Sequence, residues 1–158
     1  MDGELIRNTG IVEDDTRILE SIHSYVLSSP KGIELLDQAL TGLLSHQDPQ
    51  LIIIETSGSC HPLPLVEYFK QQTKTTLVGV FACVDCLMPA HDHDYAENLI
   101  PGVQQNIAQG KRDTVNLLVE QIMFCNHVLF TKVDRIEEEK LTGIVSNVQS
   151  INPYVPAY

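Results

Sequence analysis

The stretch that most constrains this chain is Leu51-Ile52-Ile53-Ile54-Glu55-Thr56-Ser57-Gly58, in which four consecutive apolar residues stop at a carboxylate and a glycine-bearing turn. A continuous, mostly β-branched run too short for a helix reads as a strand buried on both faces, and that is the environment of a parallel sheet. Asp48-Pro49 marks the turn before it. A strand of this kind that ends on glutamate places a carboxylate where open α/β sheets bind their ligands, beyond the carboxyl ends of the strands.

The rest of the chain supplies the other elements of such a fold. Apolar residues at Ile33, Leu35, Leu36, Leu40, Leu43 and Leu44 predict a helix over 31–45, with Pro30 suited to its first turn. A second helix is expected over 63–72, and TTLVGVFACV, residues 75–84, reads as a second buried strand. Val103, Ile107, Val115, Leu118, Val119 and Ile122 predict one long amphipathic helix over 103–123. A third strand follows at 127–130 and a last helix at 137–149. The alternation of strand and helix predicts an α/β fold, a mostly parallel sheet flanked by helices. Residues 89–101 form the one long polar segment, expected to be a loop.

With 158 residues, 43% of them hydrophobic, residues 1–158 are expected to form a single domain. Ten basic and 21 acidic residues leave a formal charge of -11, with no basic cluster longer than Lys111-Arg112, so partners held by charge alone, nucleic acid or a membrane surface, are not expected. The start MDGELIRNTG has no basic and apolar leader pattern, and no run approaches the length of a membrane span; a cytoplasmic protein is expected. The four cysteines, Cys60, Cys83, Cys86 and Cys125, read as reduced thiols rather than a disulfide framework.

Two constellations could carry chemistry. Glu55 with Gly58 suits a nucleotide switch, the carboxylate holding Mg²⁺ or its water shell and the glycine letting a backbone N–H approach a terminal phosphate. The plain alternative is an exposed strand-end glutamate and a turn glycine. Thr131-Lys132-Val133-Asp134 follows the third strand: its aspartate can accept two guanine N–H groups while the lysine stem lies along the base. Here the plain alternative is a solvated loop with a helix-capping aspartate.

The blocks IIIETSGSCHPLPLVEYF, VGVFACVDCLMP, HVLFTKVDRI and INPYVPAY, in that order, resemble those of the CobW-like metallochaperone GTPases, a branch of the P-loop GTPases. The opening DGELIRN resembles the stretch after that family's first switch. The resemblance implies a P-loop NTPase core, with Glu55 and Gly58 facing Mg²⁺ and the terminal phosphate of GTP and with Thr131, Lys132 and Asp134 reading guanine. It places Asn152-Pro153 near the strand leading to the base pocket. It also implies a metal cargo such as Zn²⁺, Co²⁺ or Ni²⁺, and leaves room for a client metalloprotein and a homodimer.

Two departures stand out. No G-x-x-x-x-G-K-[ST] occurs, so the phosphate-cradling loop is absent and, by the resemblance, so is the first strand in the middle of the sheet. The chain is therefore expected to be the middle and C-terminal part of a GTPase domain, with a gap between its own strands. The family's C-x-C-C has no counterpart in ILESIHSYVLSSP, which offers Glu20 and His23 and no thiolate.

Other metal-binding candidates are His91 and His93, in the run His91-Asp92-His93-Asp94, and Cys60-His61 beside the switch. A solvated acidic loop and simple loop punctuation are the respective alternatives. Cys83 and Cys86 have redox-motif spacing but are expected to be core thiols. The leading reading is a GTPase-domain segment of a metal-handling protein. Its rivals are a non-catalytic GTPase remnant that binds a protein or a metal, and a thiol oxidoreductase.

Overall fold

The computed structural model describes residues 25–92 and 94–158, so DGELIRN, Glu20, His23 and His93 lie outside the described residues. The chain forms two compact units, Met1–Ser57 and Gly58–Tyr158.

The first unit contains helix α1, Pro30–His46. Ser29 caps it, its hydroxyl accepting the Gly32 N–H at 3.0 Å, and Pro30 occupies the first turn, where its missing N–H costs nothing. Leu36 and Leu40, one turn apart, are its buried apolar side chains. Gly32 is required by packing: a Cβ there would stand 2.2 Å from the Val26 carbonyl oxygen.

The strand expected at residues 51–54 does not form. That segment has no regular structure, and Leu51 and Ile53 are 65% and 84% exposed. A strand in a parallel sheet gains its hydrogen bonds and its burial from neighbours, and none of the described residues pairs with it. The β-branched run carries the propensity, but without a ladder the propensity has nothing to act on.

In the second unit, helix α2, Pro62–Gln71, is followed by strand β1, Phe81–Asp85, and a short helix α3, Leu87–Asp92. Helices α4, Leu99–Ala108, and α5, Thr114–Met123, lead to strand β2, His127–Thr131. A 3-10 turn, Val133–Arg135, and helix α6, Glu138–Ile151, complete the elements. Strands β1 and β2 are parallel, with Asp85 opposite Thr131. Residues 156–158 continue the sheet beside β2, Val128 bridging Ala157 and the Phe130 N–H donating to the Tyr158 carbonyl at 2.8 Å. The parallel α/β core expected from the sequence is thus present, with β2 lying between β1 and the 156–158 segment.

Three further expectations are corrected. The long helix over 103–123 is two helices. Gly110, at φ 64°, ends α4 in a left-handed turn whose Gly110 and Lys111 N–H groups return to Ile107 and Asn106. Asp113 then caps α5 by accepting the Val115 N–H at 2.9 Å. The strand expected over 75–84 is confined to Phe81–Asp85, and it is buried on one face only: Ala82 and Val84 are covered while Phe81 and Cys83 are exposed. The long loop expected over 89–101 holds the end of α3 and the start of α4, with three left-handed residues, Asp94, Tyr95 and Ala96, between them.

The core of the second unit joins the covered sheet face (Ala82, Val84, Val128) to Leu118, Val119 and Ile122 of α5 and to Ile144 and Val148 of α6. Ile122, Ile144 and Val148 have no exposed surface, so the covered sheet face and these helices share one closely packed core.

Candidate functional site

The carboxyl ends of β1 and β2 lie level because Asp85 pairs with Thr131, and the Cys86 N–H donates to the Thr131 carbonyl at 3.1 Å. Thr131 is the last strand residue. Lys132 then takes the left-handed conformation, φ 57° and ψ 29°. That conformation costs a residue with a Cβ roughly 1–2 kcal/mol and must be held by its surroundings. The Lys132 carbonyl accepts the Arg135 N–H at 3.1 Å, closing the 3-10 turn in which Asp134 sits exposed. Thr131, Lys132 and Asp134 are thereby brought onto one exposed turn at the end of β2.

The Lys132 ammonium pairs with Asp85 Oδ2, and Asp85 Oδ1 accepts the Leu87 N–H at 3.0 Å at the start of α3. The Lys132 hydrogen bond holds the Asp85 carboxyl below the ordinary aspartate range against the opposing effect of partial burial, with the Leu87 N–H and the Lys132 and Arg135 charges adding to it.

A second cluster fixes the loop carrying Gly58. Gln121 of α5 donates from Nε2 to the Gly58 carbonyl at 3.0 Å and to the Cys60 carbonyl at 3.1 Å. Beside it, His61 Nδ1 meets Glu120 Oε2 at 3.0 Å, and Glu120 Oε1 takes the Arg112 guanidinium. Cys60 is 3% exposed, and His61 and Pro62 start α2. Among the described residues a Cβ at Gly58 would meet nothing within 4 Å, and its φ is not in the left-handed region, so the described part of the loop makes no demand for glycine there.

Glu55 is exposed in the irregular segment of the first unit. His91 is exposed in the last turn of α3, beside the exposed Asp92. Among the described residues no group of three or more His, Cys, Asp and Glu side chains gathers to hold a metal ion. All four cysteines are free. Cys83 is exposed, which corrects its placement in the core. Cys86 and Cys125 are buried, and burial pushes both thiols up, away from the thiolate that redox chemistry requires.

Sequence reasoning passed over Asp85, Glu120 and Gln121. Asp85 carried a signal, a carboxylate directly after a predicted strand, that its flanking cysteines obscured. Gln121 carried none, since a glutamine on an amphipathic helix is ordinary. Asn152 is also placed: its amide donates to the Ile122 carbonyl at 3.0 Å, tying the segment that leads to 156–158 onto the end of α5.

The sequence model of the family described as CobW/HypB/UreG, nucleotide-binding domain, matches residues 31–158. The chain is 32% identical over 126 residues to the zinc-regulated GTPase metalloprotein activator 1 of Dictyostelium discoideum, a match covering 72% of this chain and 26% of the relative. The chain thus spans about a quarter of the length of the curated relative it matches. No solved structure matches. With the parallel β1–β2 core, the Thr131–Asp134 turn at its carboxyl end and a family match over most of its length, this chain belongs to the CobW/HypB/UreG nucleotide-binding domain family.

Proposed function

We propose that residues 1–158 are the middle and C-terminal part of a single Mg²⁺-dependent GTPase domain, the part that reads the guanine base and carries the switch after Glu55, in a protein that handles a transition metal. The observation that carries this is the exposed Thr131–Asp134 turn. Asp134 is exposed just beyond the end of β2, where its two carboxylate oxygens can accept both guanine N–H groups, and adenine offers no such donor pair.

Glu55 and Gly58 are the residues that would face magnesium, through its water shell, and the terminal phosphate. When bound, Mg²⁺ would neutralise phosphate charge; the chain's own part is to present a carboxylate and a backbone N–H. No phosphate-cradling motif lies within these 158 residues, so the phosphates require groups from outside them. The Dictyostelium relative's name describes zinc regulation and metalloprotein activation. By extension the cargo here is Zn²⁺, or a similar borderline ion such as Co²⁺ or Ni²⁺, and the partner a client metalloprotein. His91 and His93 enter this reading as metal ligands on the strength of the sequence pattern alone. Homodimer formation and a cytoplasmic location belong to the same reading, and among the described residues no helix is long and apolar enough to cross a membrane.

The test is nucleotide binding by the intact protein containing this segment. Asp134→Asn exchanges one acceptor for a donor, so fluorescent GTP should bind about 10- to 150-fold more weakly, the equivalent of losing a charge-assisted bond of about 1.5–3 kcal/mol. Xanthosine triphosphate, which presents a carbonyl where guanine has its exocyclic amine, should gain relative to GTP. Unchanged binding of both nucleotides would sink the guanine assignment and leave the non-catalytic remnant as the better account.

A further inference from the structure

We infer that Asp85 is a positioning residue for base recognition, acting through Lys132: its carboxylate draws the Lys132 side chain across the carboxyl ends of the two strands, where the stem forms a floor for the guanine ring. The inference rests on the guanine reading of the Thr131–Asp134 turn and deepens it.

Asp85 and Thr131 are direct partners in neighbouring parallel strands. Such strands lie about 4.8 Å apart in the hydrogen-bonding direction. Lys132 leaves β2 in a left-handed turn, so the backbone swings away while the ammonium returns to the end of β1. To make that contact the four-carbon stem must cross the gap between the strand ends. A methylene stem laid there offers an apolar surface two residues before the exposed Asp134.

Asp85 is itself fixed. One of its oxygens takes the Lys132 ammonium and the other the Leu87 N–H at 3.0 Å, so the carboxylate cannot rotate without losing a partner. The acceptor that sets the ammonium's position is therefore rigid. The Lys132 and Asp85 side chains are 47% and 38% exposed. Exposed pairs are worth little, so this one contributes little to holding the fold together. The pair has a second consequence. With its charge met by Asp85, Lys132 is poorly suited to serve as a phosphate anchor, and its contribution to a nucleotide is the stem.

The test is a double-mutant cycle on fluorescent GDP affinity in the intact protein, with thermal unfolding measured alongside. Asp85→Asn should weaken GDP roughly three- to five-fold, the equivalent of at most about 1 kcal/mol for so exposed a pair, while the unfolding midpoint stays close to that of the parent. Asp85→Glu keeps the charge and should restore part of the loss; it also serves if the asparagine variant fails to fold. In a Lys132→Met background, where the stem remains and the ammonium is gone, the Asp85→Asn change should cost less than about two-fold, since coupled residues lose their interaction together. A full three- to five-fold loss in that background overturns the inference, and so does a silent Asp85→Asn in a protein whose GDP binding responds to Asp134→Asn. If Asp134→Asn also leaves GDP binding unchanged, the guanine reading itself fails and this inference falls with it.

Discussion

Truncating Gln121 to alanine tests whether α5 holds the loop that carries Gly58. The substitution removes two N–H···O bonds, to the Gly58 carbonyl at 3.0 Å and the Cys60 carbonyl at 3.1 Å, and leaves the His61–Glu120 contact in place. Alanine is at least as good a helix former as glutamine, so α5 is not weakened by propensity. Each neutral bond contributes about 0.5–1.5 kcal/mol net. The exposed Gly58 carbonyl recovers water, whereas the carbonyl of the buried Cys60 recovers less. The sum is about 1–2 kcal/mol of local stability, a factor of roughly 5–30 in the open fraction of the loop. The loop contains its own reporter, because Cys60 is 3% exposed and its thiol reacts only when the loop opens. Alkylation followed by mass spectrometry of the labelled peptides should show Cys60 reacting roughly 5–30 times faster in the variant. Cys83, exposed in both proteins, gives the intrinsic rate, while Cys86 and Cys125 report opening of the core. An unchanged Cys60 rate, or an equal acceleration at Cys125, would refute the local tether.

Two further outcomes follow from the packing and the charges. Ile144→Ala removes a side chain with no exposed surface from the core cluster of the second unit. It should lower stability in urea unfolding by about 2–5 kcal/mol; a loss under about 1 kcal/mol would contradict its close packing in the core. The Asp85 carboxyl is lowered in the folded protein, so its contribution is fully present above the unfolded aspartate value near 3.8 and disappears as pH falls through the lower folded value. The stability advantage of the parent over Asp85→Asn, at most about 1 kcal/mol for so exposed a pair, should shrink on acidification below about pH 4, and an advantage that grows with acid would reverse the sign.

The signals that could be read from the sequence were local ones. Helix α1 begins at Ser29-Pro30 and α6 runs from Glu138, each within a residue of the expected start, because the Ser29 cap of α1 and the apolar spacing of both helices act over a single turn. Strand β2 was legible as HVLF because its neighbours on both sides are present to pair with it. The α4–α5 break was written in Gly110 and in Asp113-x-x-Asn116, but the apolar period running through both helices suggested one. The Thr131–Asp134 turn was found from residue types and place in the strand order, while Asp85 and Gln121 were not, because their partners lie 47 and 63 residues away in the chain.

Residue order was enough to establish the alternation of helices and β segments, the family, and the exposed turn that carries Asp134, since these depend on local spacing and on residue identity at a strand's end. Which apolar runs become strands was settled in three dimensions. Phe81–Asp85 and His127–Thr131 form a ladder because each has the other beside it. Leu51–Ile54, the most strand-like run in the chain, has no partner among the described residues and stays open. A β-strand is completed by its neighbour's hydrogen bonds, and no property of the four residues alone can supply them.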